Sequence, residues 1–322
     1  MRLYSIQRWV VAFAGCLLVL AGAQAAPLER ADAIRVLGRA ATAAEMVSYT
    51  GNYVYQYGES VANYQIIHLF DDGVSIERRV LLDGKPKEYI RNGEKVSMYP
   101  PQEQGFVLDR RYTSKLFPNQ LPHDLEGLLQ SYRLTKIGRD RVAGRDAIIY
   151  QLDPVDAYRY PQRLWIDVES GLILKSLMMG MRQEMVQQFS FAQVQVGGKI
   201  DRELLKPTNP VREVAVVDAE MIDITKNPQF VIKPAVPGFK LIKQNTRNLP
   251  YKNREVTHHL YSDGAVTLSV FIEPKNLKMP LGLAHQGPVH LYSRQLGNHL
   301  VSCLGEVPAA TVESFANAYS LR

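Results

Sequence analysis

Apolar and polar positions alternate with a period of two from Tyr49 to Tyr99. In the first run Tyr49, Gly51, Tyr53, Tyr55 and Tyr57 fall on one face, with Thr50, Asn52 and Gln56 opposite. A second run ends at Leu69-Phe70, just before Asp72-Gly73. A third places Val74, Ile76, Val80 and Leu82 on one face, broken by Arg78, and ends before Asp83-Gly84. A short run precedes Asn92-Gly93, and another closes at Met98-Tyr99. Asp-Gly and Asn-Gly accept the positive φ that two-residue hairpin loops need, so the segment reads as an antiparallel meander. A sheet with one rich apolar face is covered by helices or curls on itself. Curling leaves either a filled core or a cavity, and function turns on which.

The pattern elsewhere is consistent with such a sheet. From Pro27 to Val47 the period changes to that of a helix, with Leu28, Ala31, Ile34, Leu37, Ala41 and Ala44 recurring every three or four residues. After Pro100-Pro101 the pattern loosens. Phe106-Val107-Leu108 reads as a short strand, and Asp124 stands where it caps a short helix carrying Leu125, Leu128 and Leu129. Strands resume at Tyr132 and continue to Val196, interrupted by Val142-Ala143-Gly144-Arg145 and Glu169-Ser170-Gly171. About ten strands and two helices ending near residue 200 fit one large curved sheet.

Lys206-Pro207-Thr208-Asn209-Pro210 and Asn227-Pro228 then frame a weakly patterned stretch, read as a linker over 201–229. A smaller domain follows over 230–322. In it Val256, His258 and Leu260 alternate, Ser262-Asp263-Gly264 turns the chain, and Val266, Leu268, Val270 and Ile272 return on one face. A loop rich in Gly, Pro and His runs from Pro274 to Pro288. Strands flank Gly297-Asn298, and Pro308 opens a last helix with Val312, Phe315, Ala316 and Tyr319 in a stripe. The fold class expected is α+β, mainly β.

Composition changes the picture at the N-terminus. Arg2 and Arg8, the apolar run Trp9–Leu20 and Ala23-Gln24-Ala25 make an export signal over 1–25, cleaved after Ala25. A lipoprotein signal at Cys16 fits less well, because the apolar run continues past the cysteine. The remaining chain, 26–200 and 230–322 about a linker, suits two domains and is expected to be exported and soluble. The net charge is +6, two of those charges lie in the leader, and the rest are interspersed with acids, which does not indicate a nucleic-acid protein. Past the leader Cys303 is the sole cysteine, so no intrachain disulfide is expected. It sits mid-strand, as a buried inert thiol would.

A search for chemistry finds little. There is no nucleophile-elbow, zincin, P-loop or paired-cysteine pattern. Asp71, Asp72 and Asp83 sit at turns. His258 and His259 are adjacent on a strand, so they point to opposite faces and cannot chelate together. No metal, cofactor or catalytic residue is expected. The tyrosines carry more: seventeen Tyr stand against two Trp, and a plain core would seldom use Tyr53, Tyr55 and Tyr57 on one face, since each buried hydroxyl needs a partner. Ordinary packing beneath a helix and a cavity wall both accommodate them. Met178, Met179, Met181 and Met185 cluster as gap fillers or as an adaptable apolar surface.

With these segments in hand, the sequence resembles the MucB/RseB family of periplasmic regulators of the sigma-E (AlgU) envelope stress response. The resemblance rests on Tyr49 to Tyr55, Glu77 to Gly84, Arg141 to Arg145, Leu164 to Asp167 and Gly171 to Leu177. In the second domain it rests on Val236-Pro237-Gly238-Phe239, Tyr261 to Gly264, Ser269 to Glu273 and Gly305 to Pro308. It implies a first domain like the carriers LolA and LolB, an unclosed antiparallel barrel with helices on its concave side, and a smaller α+β second domain. It further implies a periplasmic negative regulator that holds the periplasmic region of an anti-sigma factor of RseA/MucA type. That grip shields the factor from site-1 proteolysis and is released by a lipid or lipopolysaccharide-like signal. A lipid or lipoprotein carrier of LolA/LolB type is the alternative, and a homo-oligomer is admitted. On this reading an acyl chain meets Tyr53, Tyr55, Tyr57 and Met178, basic residues such as Arg78, Arg79 and Lys87 meet phosphates at the rim, and the partner surface lies around Tyr261, Phe271 and the loop to Pro288.

Overall fold

The computed structural model describes residues 26–85, 87–93, 95–99, 106–109, 116–208, 230–233, 236–249, 254–275 and 280–322. The expected leader and residues 209–229 of the expected linker lie outside them. Helix α1 (Arg30–Met46) leads into strands β1 (Tyr49–Tyr57), β2 (Ser60–Asp71), β3 (Val74–Leu81), β4 (Glu88–Asn92), β5 (Lys95–Tyr99) and β6 (Phe106–Asp109). Helix α2 (Leu125–Ser131) precedes β7 (Tyr132–Val142), β8 (Arg145–Pro154), β9 (Gln162–Asp167), β10 (Ile173–Met179) and β11 (Met185–Val196). These make one eleven-stranded antiparallel sheet in the order β6-β5-β4-β3-β2-β1-β11-β10-β9-β8-β7. Its two end strands do not pair, so it is an unclosed barrel, as expected. The hairpin signals form real turns: Asp72 and Gly73 stand at φ 51° and 74°, and Ala143 and Gly144 at 49° and 78°.

The hollow of this sheet is filled. Helix α1 presents Ala33, Leu37, Ala40 and Ala44, each nearly sealed from solvent, against Tyr49, Tyr53, Ile66, Leu134 and Leu152, and Leu128 and Leu129 of α2 add to the same core. Small alanines let the helix approach the strands closely. The buried stripe is rotated from the expected one: Ala31 is exposed and Ile34 half-buried, because steps of three residues drift off a face that repeats every 3.6, and Leu28 lies outside the helix, donating its N–H to Leu134 O at 2.7 Å. Gly51 is required where β1 meets a bulge in β11. A Cβ there would lie 2.5 Å from Gln193 O.

Strand β3 faces the opposite way from the simple reading of its pattern. Glu77 and Arg79 point into the hollow, each 4% exposed, and Ile76 points outward. The reason is a second cover. Residues beyond β11 fold back over the convex surface, where Ile200 and Leu205 pack with Ile67, Leu69 and Ile76. A short 3-10 turn (Arg202–Leu205) anchors this strap. Thus the opening residues of the segment read as a linker are packed against the sheet.

The smaller domain holds β12 (Phe230–Ile232), β13 (Lys240–Leu249), β14 (Arg254–Ser262), β15 (Thr267–Pro274), β16 (Gly282–Gln286), β17 (Val289–Leu296) and β18 (His299–Gly305), then α3 (Ala309–Asn317) and β19 (Tyr319–Leu321). The six-stranded sheet runs β13-β14-β15-β18-β17-β16, and β12 pairs with β19. One face carries Leu268, Val270, Ile272, Val301 and Cys303 against Val312, Phe315 and Ala316 of α3, a second core. His259 points into that core and His258 to the other face, as strand geometry requires.

The two sheets are clasped. Arg159, in the connection before β9, has no exposed side-chain surface and donates from Nε to Asp263 in the β14–β15 turn at 2.6 Å. It also donates to Pro237 O at 2.6 Å and to Asp156. Its guanidinium lies 4.9 Å from the Phe239 ring. Thr311 of α3 donates to Tyr158 O at 2.7 Å. Gly238, at φ +86°, sits where a Cβ would be 2.7 Å from Ser131 Oγ.

Candidate binding groove

Inside the first sheet the concave aromatic residues pack on one another. Tyr53 stacks on Tyr64 at 5.1 Å between centroids and tilts against Phe117 at the same distance. Phe117, wholly buried, stacks in parallel on Phe189 at 5.5 Å and touches Phe191 at 5.0 Å. Tyr53 therefore belongs to a closed core and meets no open space. Deeper still, Arg79 bonds Glu77 at 2.6 Å and Tyr53 Oη at 3.4 Å, with Arg91 3.5 Å from Glu77. Burial disfavours the Glu77 charge, but Arg79 and Arg91 outweigh it and hold the carboxyl down at about 2.

Open space begins at the end of the hollow that faces the second domain. A cavity of about 320 Å³ is lined by Leu177, Met178, Gln187 and Phe189 from the first sheet and by Thr267, Ser269, Leu304 and Glu306 from the second. A neighbouring cavity of about 570 Å³ lies between Tyr55 and Tyr57 and the β16–β17 region, including His285, Pro288 and Leu291. Both are lined by Val289, Leu304 and Glu306, so they form one groove. Its floor is tight: a Cβ on Gly287 would lie 2.5 Å from the Tyr57 ring. A polar chain crosses it. Tyr55 Oη donates to Gln187 Oε1 at 3.2 Å, and Gln187 Nε2 donates to Glu306 at 3.4 Å and to the Met178 sulfur at 3.8 Å. Burial, and next the Glu306 charge, push the Tyr55 hydroxyl well above its ordinary value. Strand β16 ends the second sheet, so its outer edge is available for main-chain pairing among the described residues.

The residues singled out from the sequence divide accordingly. Tyr55, Tyr57 and Met178 are brought together in the groove. Tyr53 is not. Arg78 and Arg79 alternate along β3 and so lie on opposite faces, far from forming a shared phosphate rim. Arg78 bonds Glu88, Leu204 O at 3.1 Å and Thr208 at 2.7 Å, pinning the strap, and Arg79 is consumed by Glu77. Tyr261 is no surface residue: its hydroxyl pairs with Tyr319 at 2.9 Å inside the second core. Phe271 is half-buried and stacks on His258 at 4.4 Å. Gln187, Phe189, Leu304 and Glu306 escaped sequence reading because only the packing of β11 against β18 joins them.

One pair beside the groove has two of the elements of catalysis: Ser269, which lines it, has its Oγ 3.0 Å from Nε2 of the buried His258. Ser269 lies on a strand paired on both sides, with Leu260 and with Leu304. Its neighbouring amides are committed to those ladders and supply no donor pair for an oxyanion.

Comparison with known proteins gives the following. The family model for the MucB/RseB N-terminal domain matches residues 32–209, and that for the MucB/RseB C-terminal domain matches residues 225–320. The sigma factor AlgU regulatory protein MucB of Pseudomonas aeruginosa is 31% identical over 93% of this chain and 95% of its own. The solved MucA/MucB complex of Pseudomonas aeruginosa aligns at a TM-score of 0.74 and 27% identity, covering 90% of this chain and 99% of that one. A structure of MucB, 27% identical, covers 91% of this chain and 98% of its own at a TM-score of 0.65.

Proposed function

The chain belongs to the MucB/RseB family, and from that membership and the groove between its domains we propose that it is a periplasmic negative regulator of a sigma-E-type stress response. It binds the periplasmic region of a membrane anti-sigma factor of RseA/MucA type as an extended segment laid between the two sheets. The carrying observation is the groove itself, long, half apolar, built from both domains and bordered by the unpaired edge of β16. MucB is known in complex with MucA, and this chain is more like that complex than like MucB alone, 0.74 against 0.65. That difference supports reading the clasped arrangement as the one that holds the partner.

A segment laid in this groove is sheltered from a protease, which needs an extended, accessible backbone. A lipid-type signal releases it by competition: an acyl chain against Tyr55, Tyr57 and Met178 occupies the same space, and each occupant lowers the affinity of the other by the same factor. The filled hollow around Phe117 speaks against an acyl chain inside the barrel, and so against the carrier reading. The test is proteolysis of the anti-sigma factor's periplasmic region by its site-1 protease, with this protein and with added lipid vesicles. Protection that lipid relieves supports the reading. Equal cleavage with and without the protein overturns it.

A further inference from the structure

Two imidazoles meet on the hairpin that borders the groove. Strands β16 and β17 are joined by Gly287 and Pro288 alone, with Gly287 at φ 56° as the first central residue of a two-residue loop. In such a hairpin the pair closing the loop, Gln286 and Val289, is the hydrogen-bonded kind. The next pair, His285 and His290, is then the non-hydrogen-bonded kind, in which opposed side chains stand closest. Their ring centroids are 5.7 Å apart. Reading 274–288 as a loop concealed this pairing from the sequence. His290 is also oriented for a ligand role. Its Nδ1 lies 2.9 Å from Val307 O, which can only accept, so the proton sits on Nδ1 and Nε2 keeps a bare lone pair. Tyr160 Oη, 3.3 Å from the same nitrogen, packs the ring from the first domain. Burial lowers the pKa of His290 and so favours the neutral form that binds metals. His285 is exposed and its ring is free to turn.

A backbone carbonyl on one ring nitrogen and the ion on the other is the usual setting of a metal-binding histidine. Two imidazoles on one tetrahedral ion, at metal–nitrogen distances of about 2.0–2.1 Å, hold their ring centroids about 5 Å apart. From 5.7 Å, a rotation of the exposed His285 ring closes the difference. We propose that His285 and His290 together bind one divalent transition-metal ion of the kind that prefers imidazole, Cu(II) or Zn(II). Among the described residues no third His, Cys, Asp or Glu joins them, so water completes the shell. With half the ligands of a closed zinc site, the expected Kd is on the order of 10 µM. The ion ties β16, the edge strand beside the groove, to β17. The site stands whether or not the groove holds an anti-sigma factor.

The test titrates the untagged mature chain by calorimetry with Zn(II) and, separately, with Cu(II). One site is expected for each, with Cu(II) the tighter. His285→Ala removes an exposed ring, and His290→Gln keeps an amide to donate to Val307 O but has no second ring nitrogen. Each is expected to weaken binding roughly tenfold or more. His123→Ala, at an exposed histidine elsewhere, is expected to change nothing. Saturating Zn(II) is expected to raise the thermal midpoint of the parent by a few degrees and to leave that of His285→Ala unmoved. If His290→Gln fails to fold, His285→Ala decides alone. A Kd above about 1 mM for both ions, binding that His285→Ala leaves intact, or a midpoint rise that persists in that variant overturns the proposal.

Discussion

The clasp between the sheets makes the sharpest prediction. Arg159 and Asp263 form an ion pair in which neither side chain retains exposed surface. Arg159→Met removes the cation and keeps much of the apolar stem. Asp263 then keeps only the backbone N–H groups of Ala265 and Val266, each at 2.9 Å. Leaving one member of a buried pair uncompensated costs about 3–5 kcal/mol. Asp263→Asn removes one of the two carboxylates on Arg159, which keeps Asp156 and Pro237 O, and so costs less. In a double-mutant cycle the two substitutions are therefore expected to couple by about 2–3 kcal/mol. Since the pair joins two separate cores, the loss falls on the contact between domains. Calorimetry of Arg159→Met is expected to resolve two unfolding transitions where the parent shows one, and X-ray scattering to show a larger radius of gyration. A coupling below about 0.5 kcal/mol with unchanged scattering would refute the reasoning, and the clasp would then be incidental to domain placement.

Two further outcomes follow from the cores. Phe117→Ala, which empties the centre of the aromatic stack, is expected to cost about 3–5 kcal/mol in denaturant unfolding and to create a cavity that takes up a hydrophobic dye; a loss under 1 kcal/mol would mean the stack is not a core. His259, buried against Tyr319 at 2.6 Å, is held down by burial at about 4. Its unfolded imidazole takes a proton near 6.5, so stability is intact above that pH and falls by roughly 3 kcal/mol as pH drops from 6.5 to 4. His259→Leu is expected to flatten that part of the pH–stability curve of the second domain, and an unchanged slope would contradict the assignment.

The sheets were legible where local signals suffice. Asp72-Gly73 and the Tyr49–Tyr57 alternation set strands and register before any tertiary contact. Polar strands were not: β13 reads Lys-Leu-Ile-Lys-Gln-Asn-Thr-Arg-Asn-Leu, and β16 sits within a Gly- and Pro-rich loop. Both are edge strands, whose second side places little apolar demand on the sequence. Strand β3 misled because both its faces are covered, so that Ile76 found apolar neighbours on the convex side while Glu77 and Arg79 neutralised each other within. The site was half legible. Tyr55, Tyr57 and Met178 stood out by type, but Gln187 and Glu306 are ordinary residues that acquire meaning only when two domains meet.

The claim that an extended partner lies between the sheets is tested most directly by site-specific photocrosslinking in cells. A benzophenone side chain at Thr267, exposed and lining the groove, is compared with one at Ile137, exposed on β7 at the far end of the first sheet. Crosslinks to the anti-sigma factor from Thr267, lost when an excess of acylated lipid is supplied, are the expected result. Crosslinks from Ile137 with none from Thr267 would place the partner elsewhere and contradict the account.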